Sequence, residues 1–419
     1  MSASHRAGGA VRPAAEGRAA TLFDGRHTWT EAQVHTEAQR VATLLREAGV
    51  RVLATLLDNS IAWVVADLAA ALAGAVHVPL PTSLTRSQIS QALRAAAADA
   101  WLTTPAVAHH LRTSLPTGAG PAALAHEVRR CEIAGDLLAL VAPLPAVLQA
   151  SAPGSADPCP GRSPSLVAMQ CAAEGLVRAT VTLGITRHLC VLPLAEPLER
   201  VAGLRAAMAR GADCTVLPLH QVGLTGAASF DVALFHAAVL RHEPHSMTLR
   251  PALLRAWSAH LHATRHSAPR TLLLVVVAGS AVGERALMEA HAAGIPAYEG
   301  YSPSQGGLLQ TLNLPGADLP GSVGRALPHA QLRCTAHGEI ETADPQLPDR
   351  PRTTSPAWQP TGDLGRMDAQ GFVHLTGHTT EGLTTATGHP APPDWAQATL
   401  RGGPCMAQVS GLVRPAEHP

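Results

Sequence analysis

The stretch Pro296 to Gly307, PAYEGYSPSQGG, holds the residues whose types and spacing best suit ligand chemistry. Its loop, Ser302-Pro303-Ser304-Gln305, offers two hydroxyls and an amide but no charge. Ahead of it the apolar run Leu272 to Val277 ends in the small-residue turn Ala278-Gly279-Ser280-Ala281, and a short helical segment separates the two. Buried strand, tight turn, helix, second strand and polar loop is the order in which α/β sheets present a ligand at strand ends.

Composition narrows the chemistry. All 31 basic residues are arginine, so no mechanism that needs a lysine amine is open to this chain. The formal net charge is zero, and Arg129-Arg130 and Arg350 to Arg352 are too short to make a nucleic-acid footprint. Seven cysteines lie scattered without a C-x-x-C pair, which reads as reduced cytoplasmic thiols, neither a disulfide frame nor a zinc site. His262 and His266, like His242 and His245, could each form half a metal site but lack an acidic partner at suitable spacing, so surface helices are expected. No G-x-S-x-G elbow is present, and the longest apolar stretch, Trp63 to Pro81, contains Asp67 and ends in prolines, so no membrane span is expected.

The elements that must position the loop follow from periodicity. Apolar residues at Val34, Ala38, Val41, Leu44 and Leu45 predict a helix over Glu31 to Ala48, closed by Gly49. Strand Val52 to Leu57, helix Ile61 to Leu72 and strand Ala75 to Leu80 form a βαβ run, and the alternation continues with a helix at Arg86 to Ala97 and a strand around Ala100 to Leu102. Beyond a weakly patterned region up to about residue 165 come helix Leu166 to Leu183, strand Leu189 to Leu192, helix Glu199 to Arg210, strand Cys214 to Leu217, and helices Phe230 to His242 and Pro251 to His266. From Gly321 onward short strands and Gly/Pro turns dominate.

Several segments, in this order, resemble the adenylate-forming (AMP-binding) superfamily, in particular bacterial long-chain fatty-acyl-CoA synthetases. They are DGRHTWTEAQ, LLDNSIAWVVADLAAALAGAVHVPLP, HLCVLPLAEPLERVAG, the AGSAV turn, YEGYSPSQ, PGSVGRALPHAQLR, GEI, WQPTGDLGRMDAQGFVHLTGH and TTATGHPAPPDW, spread over roughly residues 22 to 415. The resemblance implies an α/β fold: a large domain at 22–375 of parallel sheets covered by helices, with a β-rich subdomain at about 321–375. A disordered lead-in at 1–21 and a hinge with an incomplete carboxy-terminal domain at 376–419 complete the expected organisation.

The implied reaction joins ATP and a carboxylic acid, here a fatty acid, into an acyl-adenylate, which a thiol of CoA or a carrier protein then attacks. The family's phosphate loop falls on Pro153 to Gly161, where Gly154, Ser155 and Gly161 keep the pattern while Ala156, Asp157 and Pro160 depart from it. A carboxylate at Asp157, about 5 Å from a phosphate charge, would cost roughly 3 kcal/mol at an effective dielectric near 20. Gly279 and Ser280 fall on the nucleotide turn; Glu299, Gly300 and Tyr301 match the adenine segment, Ser304 the phosphate hydroxyl, and Gln305 the magnesium-holding glutamate. Asp363 stands at the ribose-binding carboxylate, and His378 where the family has a ribose-binding arginine. These departures leave two expectations open: an acyl-activating ligase with impaired chemistry, or an inactive pseudo-ligase serving as a nucleotide-binding, acyl-binding or scaffold subunit beside a partner ligase.

Overall fold

The computed structural model describes residues 19–84, 86–107, 127–142, 164–225, 229–303, 307–345 and 357–379. The expected lead-in up to residue 18 and nearly all of the expected hinge segment lie outside them.

Chain order begins with strands β1 (Thr21–Phe23) and β2 (Thr28–Thr30), whose turn leads into helix α1 (Glu31–Glu47). Thr30 caps this helix: its hydroxyl accepts the Gln33 amide while the Gln33 side chain reaches back to the Thr30 amide, a reciprocal box that satisfies two otherwise unpaired donors. Val34, Ala38, Val41, Ala42 and Leu45 form its buried face. Strand β3 (Val52–Leu56) then feeds α2 (Ile61–Ala73), capped by Ser60 and ended by Gly74 at φ 73°. Nine of the thirteen residues of α2 are buried, because the helix lies between α1 and its own sheet and has little polar face to offer water.

A five-stranded sheet has the order β4–β3–β5–β7–β6, with β4 (Val76–Pro79) and β5 (Ala100–Thr103) parallel to β3 and helix α3 (Arg86–Ala95) between them in sequence. Its other half is the antiparallel hairpin β6 (Glu127–Ile133) and β7 (Asp136–Ala142). That hairpin falls where periodicity shows no element, since β6 alternates short polar runs with single apolar residues.

The second sheet has nine strands in the order β14–β13–β12–β11–β10–β8–β9–β1–β2, and its six central strands are parallel. Its members are β8 (Arg187–Cys190), β9 (Asp213–Val216), β10 (Ser246–Leu249), β11 (Leu274–Val277), β12 (Ala297–Tyr301), β13 (Thr311–Leu312) and β14 (Arg325–Ala326). Helices α4 (Leu166–Ala179), α5 (Ala206–Ala209), α6 (Val232–His242), α7 (Pro251–Thr264) and α8 (Glu284–Ala292) alternate with them. A third, antiparallel sheet joins β15 (Gln331–Cys334), β16 (Glu339–Ala343), β17 (Gln359–Met367) and β18 (Val373–His378).

Two helices differ from expectation in form. The one expected to reach Leu183 ends at Ala179 and tightens into a 3-10 turn over Val181–Leu183. There the Thr180 hydroxyl donates back to the Leu176 carbonyl at 2.7 Å and accepts the Arg210 guanidinium at 2.6 Å. The one expected over Glu199 to Arg210 is a π-helix, Leu198–Arg205, running into α5. The wider π turn brings Glu199, Arg200 and Arg205 inward onto buried partners. Of the histidine pairs, His262 and His266 are exposed, and His266 lies beyond α7, stacked on His236 with ring centroids 5.9 Å apart.

Candidate nucleotide site

Strands β11 and β12 are parallel neighbours with Val277 opposite Glu299, so the turn after one and the loop after the other leave the sheet side by side. The β11 turn contains Gly279 at φ 106°, a conformation that favours glycine, and Gly279 and Ser280 are both exposed. Behind them Val282 donates its amide to the Glu299 carboxylate at 2.9 Å, so Glu299 holds the turn to its own strand. Burial pushes the Glu299 carboxyl up to about 7, opposed by the Val282 amide.

Gly300 is set by packing: a Cβ there would lie 2.7 Å from the Thr311 carbonyl oxygen and 2.9 Å from Leu309. Close pairing of Gly300 with Leu312 lets β13 turn back over the end of β12. Asn313 fixes that return, its amide and side chain donating to the Glu299 carbonyl at 2.9 and 3.3 Å and its side chain to the Ser322 carbonyl at 2.8 Å. Asn313 and the Val282 amide were not singled out in the sequence; an asparagine clamp has no spacing signature.

Tyr301 and Asp363, 62 positions apart in sequence, meet directly: the phenol donates to one carboxylate oxygen at 2.6 Å. The Tyr301 ring packs with Val323, Ile340 and Val373 where the nine-stranded and four-stranded sheets join. Burial and the adjacent Asp363 charge hold its hydroxyl far above the ordinary phenol range. Asp363 is presented by a rigid corner on β17. Thr361 donates its hydroxyl to the Ile340 carbonyl at 2.7 Å and accepts the Asp363 amide at 3.1 Å. Gly362 sits at φ 77°, and a Cβ there would stand 2.8 Å from the ring of His378. His378, opposite Asp363 on β18, brings Nε2 to 3.9 Å from the other Asp363 oxygen. Next along the chain, the Ser302 hydroxyl is buried without a hydrogen-bond partner.

The structure therefore gathers Gly279, Ser280, Glu299, Gly300, Tyr301, Asp363 and His378 around the ends of β11 and β12 and the middle of β17. Gly154, Ser155, Gly161, Ser304 and Gln305 lie outside the described residues. An open depression of about 670 Å³ lined by Trp29, Gln33, Glu37 and Arg40 sits by β2, at the opposite end of the nine-stranded sheet, and takes no part in this arrangement. Chemically, the assembled groups form a carboxylate acceptor backed by an imidazole, a phenol and an orphan hydroxyl, which suits a polyhydroxylated ligand better than acid–base catalysis. Among the described residues no helix is long and apolar enough to cross a membrane.

The family model for AMP-binding enzymes matches residues 10–158 and 165–341, well over half of the chain. Over 154 residues the chain is 32% identical to the long-chain-fatty-acid–CoA ligases FadD15 of Mycobacterium bovis and Mycobacterium tuberculosis. That alignment covers 33% of this chain and 25% of each relative, so the match spans about a quarter of their length. Among solved structures, o-succinylbenzoate CoA synthetase from Bacillus subtilis in complex with AMP superposes with a TM-score of 0.62 at 20% identity, over 87% of this chain and 76% of that one. The anthranilate CoA ligase AuaEII in complex with anthranoyl-AMP gives 0.66 at 19% identity, over 94% and 79%. These likenesses establish the fold: α/β, with helix-covered parallel sheets and a small antiparallel sheet.

Proposed function

The chain belongs to the AMP-binding enzyme family, and from that premise we propose that it binds an adenine nucleotide where the ends of β11 and β12 meet β17 and activates a fatty acid, weakly, as an acyl-adenylate. The supporting observation is the Tyr301–Asp363 pair at 2.6 Å, which joins the two residues assigned to adenine and ribose across two sheets.

Asp363 accepts a ribose hydroxyl on the oxygen that faces His378, and Tyr301, anchored by its phenol, is the residue assigned to stack on the base. The orphan Ser302 hydroxyl gains a partner from the ligand. In the reaction, a carboxylate oxygen of the acid attacks the α-phosphorus and pyrophosphate leaves; a thiol, of CoA or a carrier protein, then attacks the acyl carbonyl and AMP leaves. The fatty-acyl class is supported by the partial likeness to the FadD15 ligases. Magnesium has no ligand set among the described residues at this site, and Gln305, the residue proposed for it, supplies only a neutral oxygen.

A second reading, an inactive subunit that binds nucleotide or acyl chain beside a partner ligase, is favoured by the absence of lysine and by Asp157 and Pro160 in the phosphate loop. Acid-dependent exchange of labelled pyrophosphate into ATP separates the two. Slow exchange with long-chain acids, above the background of Asp363→Ala, is expected. Silence with every acid, together with a rise in melting temperature induced by ATP or by a long-chain acid, would give the second reading; silence with neither rise would overturn the ligase reading and both binding roles.

A further inference from the structure

His188, Cys190 and Glu199 meet in the centre of the nine-stranded sheet, and the geometry points to a buried structural site for one zinc-class divalent cation there, independent of the nucleotide reading. His188 and Cys190 are two residues apart on β8, so both side chains leave the same face of the strand. Glu199 comes from the π-helix that follows. Their three ligand atoms all lie within 4.8 Å of one another, and His188 Nε2 is 3.1 Å from Glu199 Oε1. A tetrahedral ion with bonds of about 2.0–2.3 Å places its ligands about 3.3–3.8 Å apart, so the three groups draw together around it, and a water held with the ion takes the fourth position.

The surroundings orient each ligand. Ser246 on β10 lies 2.9 Å from His188 Nδ1 and can accept its proton, which frees Nε2 for the ion. Glu199 Oε2 is occupied by the amides of Val191 and Leu192 at 3.3 and 2.9 Å and by the Thr248 hydroxyl at 2.5 Å, which leaves Oε1 turned toward His188 and Cys190. Gly203 completes the pocket: a Cβ there would lie 2.3 Å from Glu199 Oε1 and 3.0 Å from His188 Nε2, so no other residue leaves those two atoms room.

Charge favours the ion. Without it Glu199 lies at zero relative exposure with no cationic side chain among the three ligands. With it, the Cys190 thiol releases its proton to solvent, and one dication balances one thiolate and one carboxylate around a neutral imidazole. A mixed nitrogen, sulfur and oxygen donor set suits zinc and disfavours calcium or magnesium. Because the site is closed, the ion enters as the chain folds.

Metal analysis of the full chain, expressed in zinc-supplemented medium and dialysed, tests this directly. About one tightly held zinc per chain is expected, with X-ray absorption showing a single sulfur at about 2.3 Å and the remaining ligands nitrogen or oxygen. The cobalt-substituted protein is expected to show a thiolate-to-cobalt charge-transfer band that Cys190→Ala abolishes. Wild-type protein free of metal, zinc bound by two or more sulfurs, or a cobalt band that survives in Cys190→Ala would overturn the site. The absorption measurement on the wild type decides the matter even where the variant fails to fold.

Discussion

Glu299 carries the most informative titration at the residue scale. Its folded value of about 7 lies above the ordinary 4.5, so the folded state holds its proton more tightly than the unfolded chain. The stability it contributes is therefore complete below about pH 4.5, declines as pH rises toward 7, and stays low above that. Glu299→Gln keeps an acceptor for the Val282 amide and cannot ionise; it is expected to flatten the pH dependence in that window and to be more stable by about 3 kcal/mol above pH 7, read from denaturant midpoints. The Tyr301–Asp363 hydrogen bond makes a second prediction. Tyr301→Phe leaves a buried carboxylate short of a donor and should cost about 2 kcal/mol, while in the Asp363→Ala background the same change should cost much less. Equal costs in both backgrounds would show that the two side chains are not coupled. At this scale Asp363, Tyr301 and Gly300 were legible because their motifs are contiguous in sequence. The phenol–carboxylate contact was not, since it joins residues from separate sheets; the meeting of Glu199 with His188 was hidden because it depends on the π-helix that follows β8.

Among elements, α2 and the π-helix are tied by a buried charge cluster. Asp67 on α2 accepts from Arg200 and Arg205 and lies 2.7 Å from His77 on β4, so the five-stranded sheet is joined to the nine-stranded one through one carboxylate. Burial acts against the Asp67 anion, but the two guanidiniums dominate and hold its carboxyl far below the usual range. Burial likewise pushes the His77 imidazole down, keeping it neutral. For Asp67 the contribution to stability is present above about pH 3.8 and is lost as acid protonates it; for His77, neutrality when folded means that stability begins to fall as pH drops through about 6.5. Asp67→Ala strands the buried Arg200 and the half-buried Arg205 and should cost about 3–5 kcal/mol, measured by urea unfolding, with Arg205→Ala costing less because Arg200 still pairs the carboxylate. The π turn that aims Arg200 and Arg205 inward cannot be told from an α-helix by apolar period, and the β6–β7 hairpin was hidden by its irregular alternation. By contrast α1, α2 and β11 follow directly from caps and buried runs.

For the whole molecule, the parallel core of the nine-stranded sheet delivers the ends of β11 and β12 to one edge, and the four-stranded sheet brings Asp363 to meet them. The order of elements was readable from alternating periods; strand order in the sheets was not, because β1, with β2 on its outer side, pairs with β9 almost two hundred residues later and no local pattern encodes that contact. A nucleotide that binds across this junction should stabilise the assembled sheets together, raising a single melting transition that climbs with the logarithm of its concentration above Kd. Calorimetric titration of AMP and ATP into the wild type and into Asp363→Ala tests the central claim most directly. Binding to the wild type that weakens about tenfold or more in the variant, the loss expected for a charge-assisted pair of hydrogen bonds, is the predicted result. Equal affinity in the two proteins, or no binding to a folded wild type, would contradict the assignment of this junction as the nucleotide site.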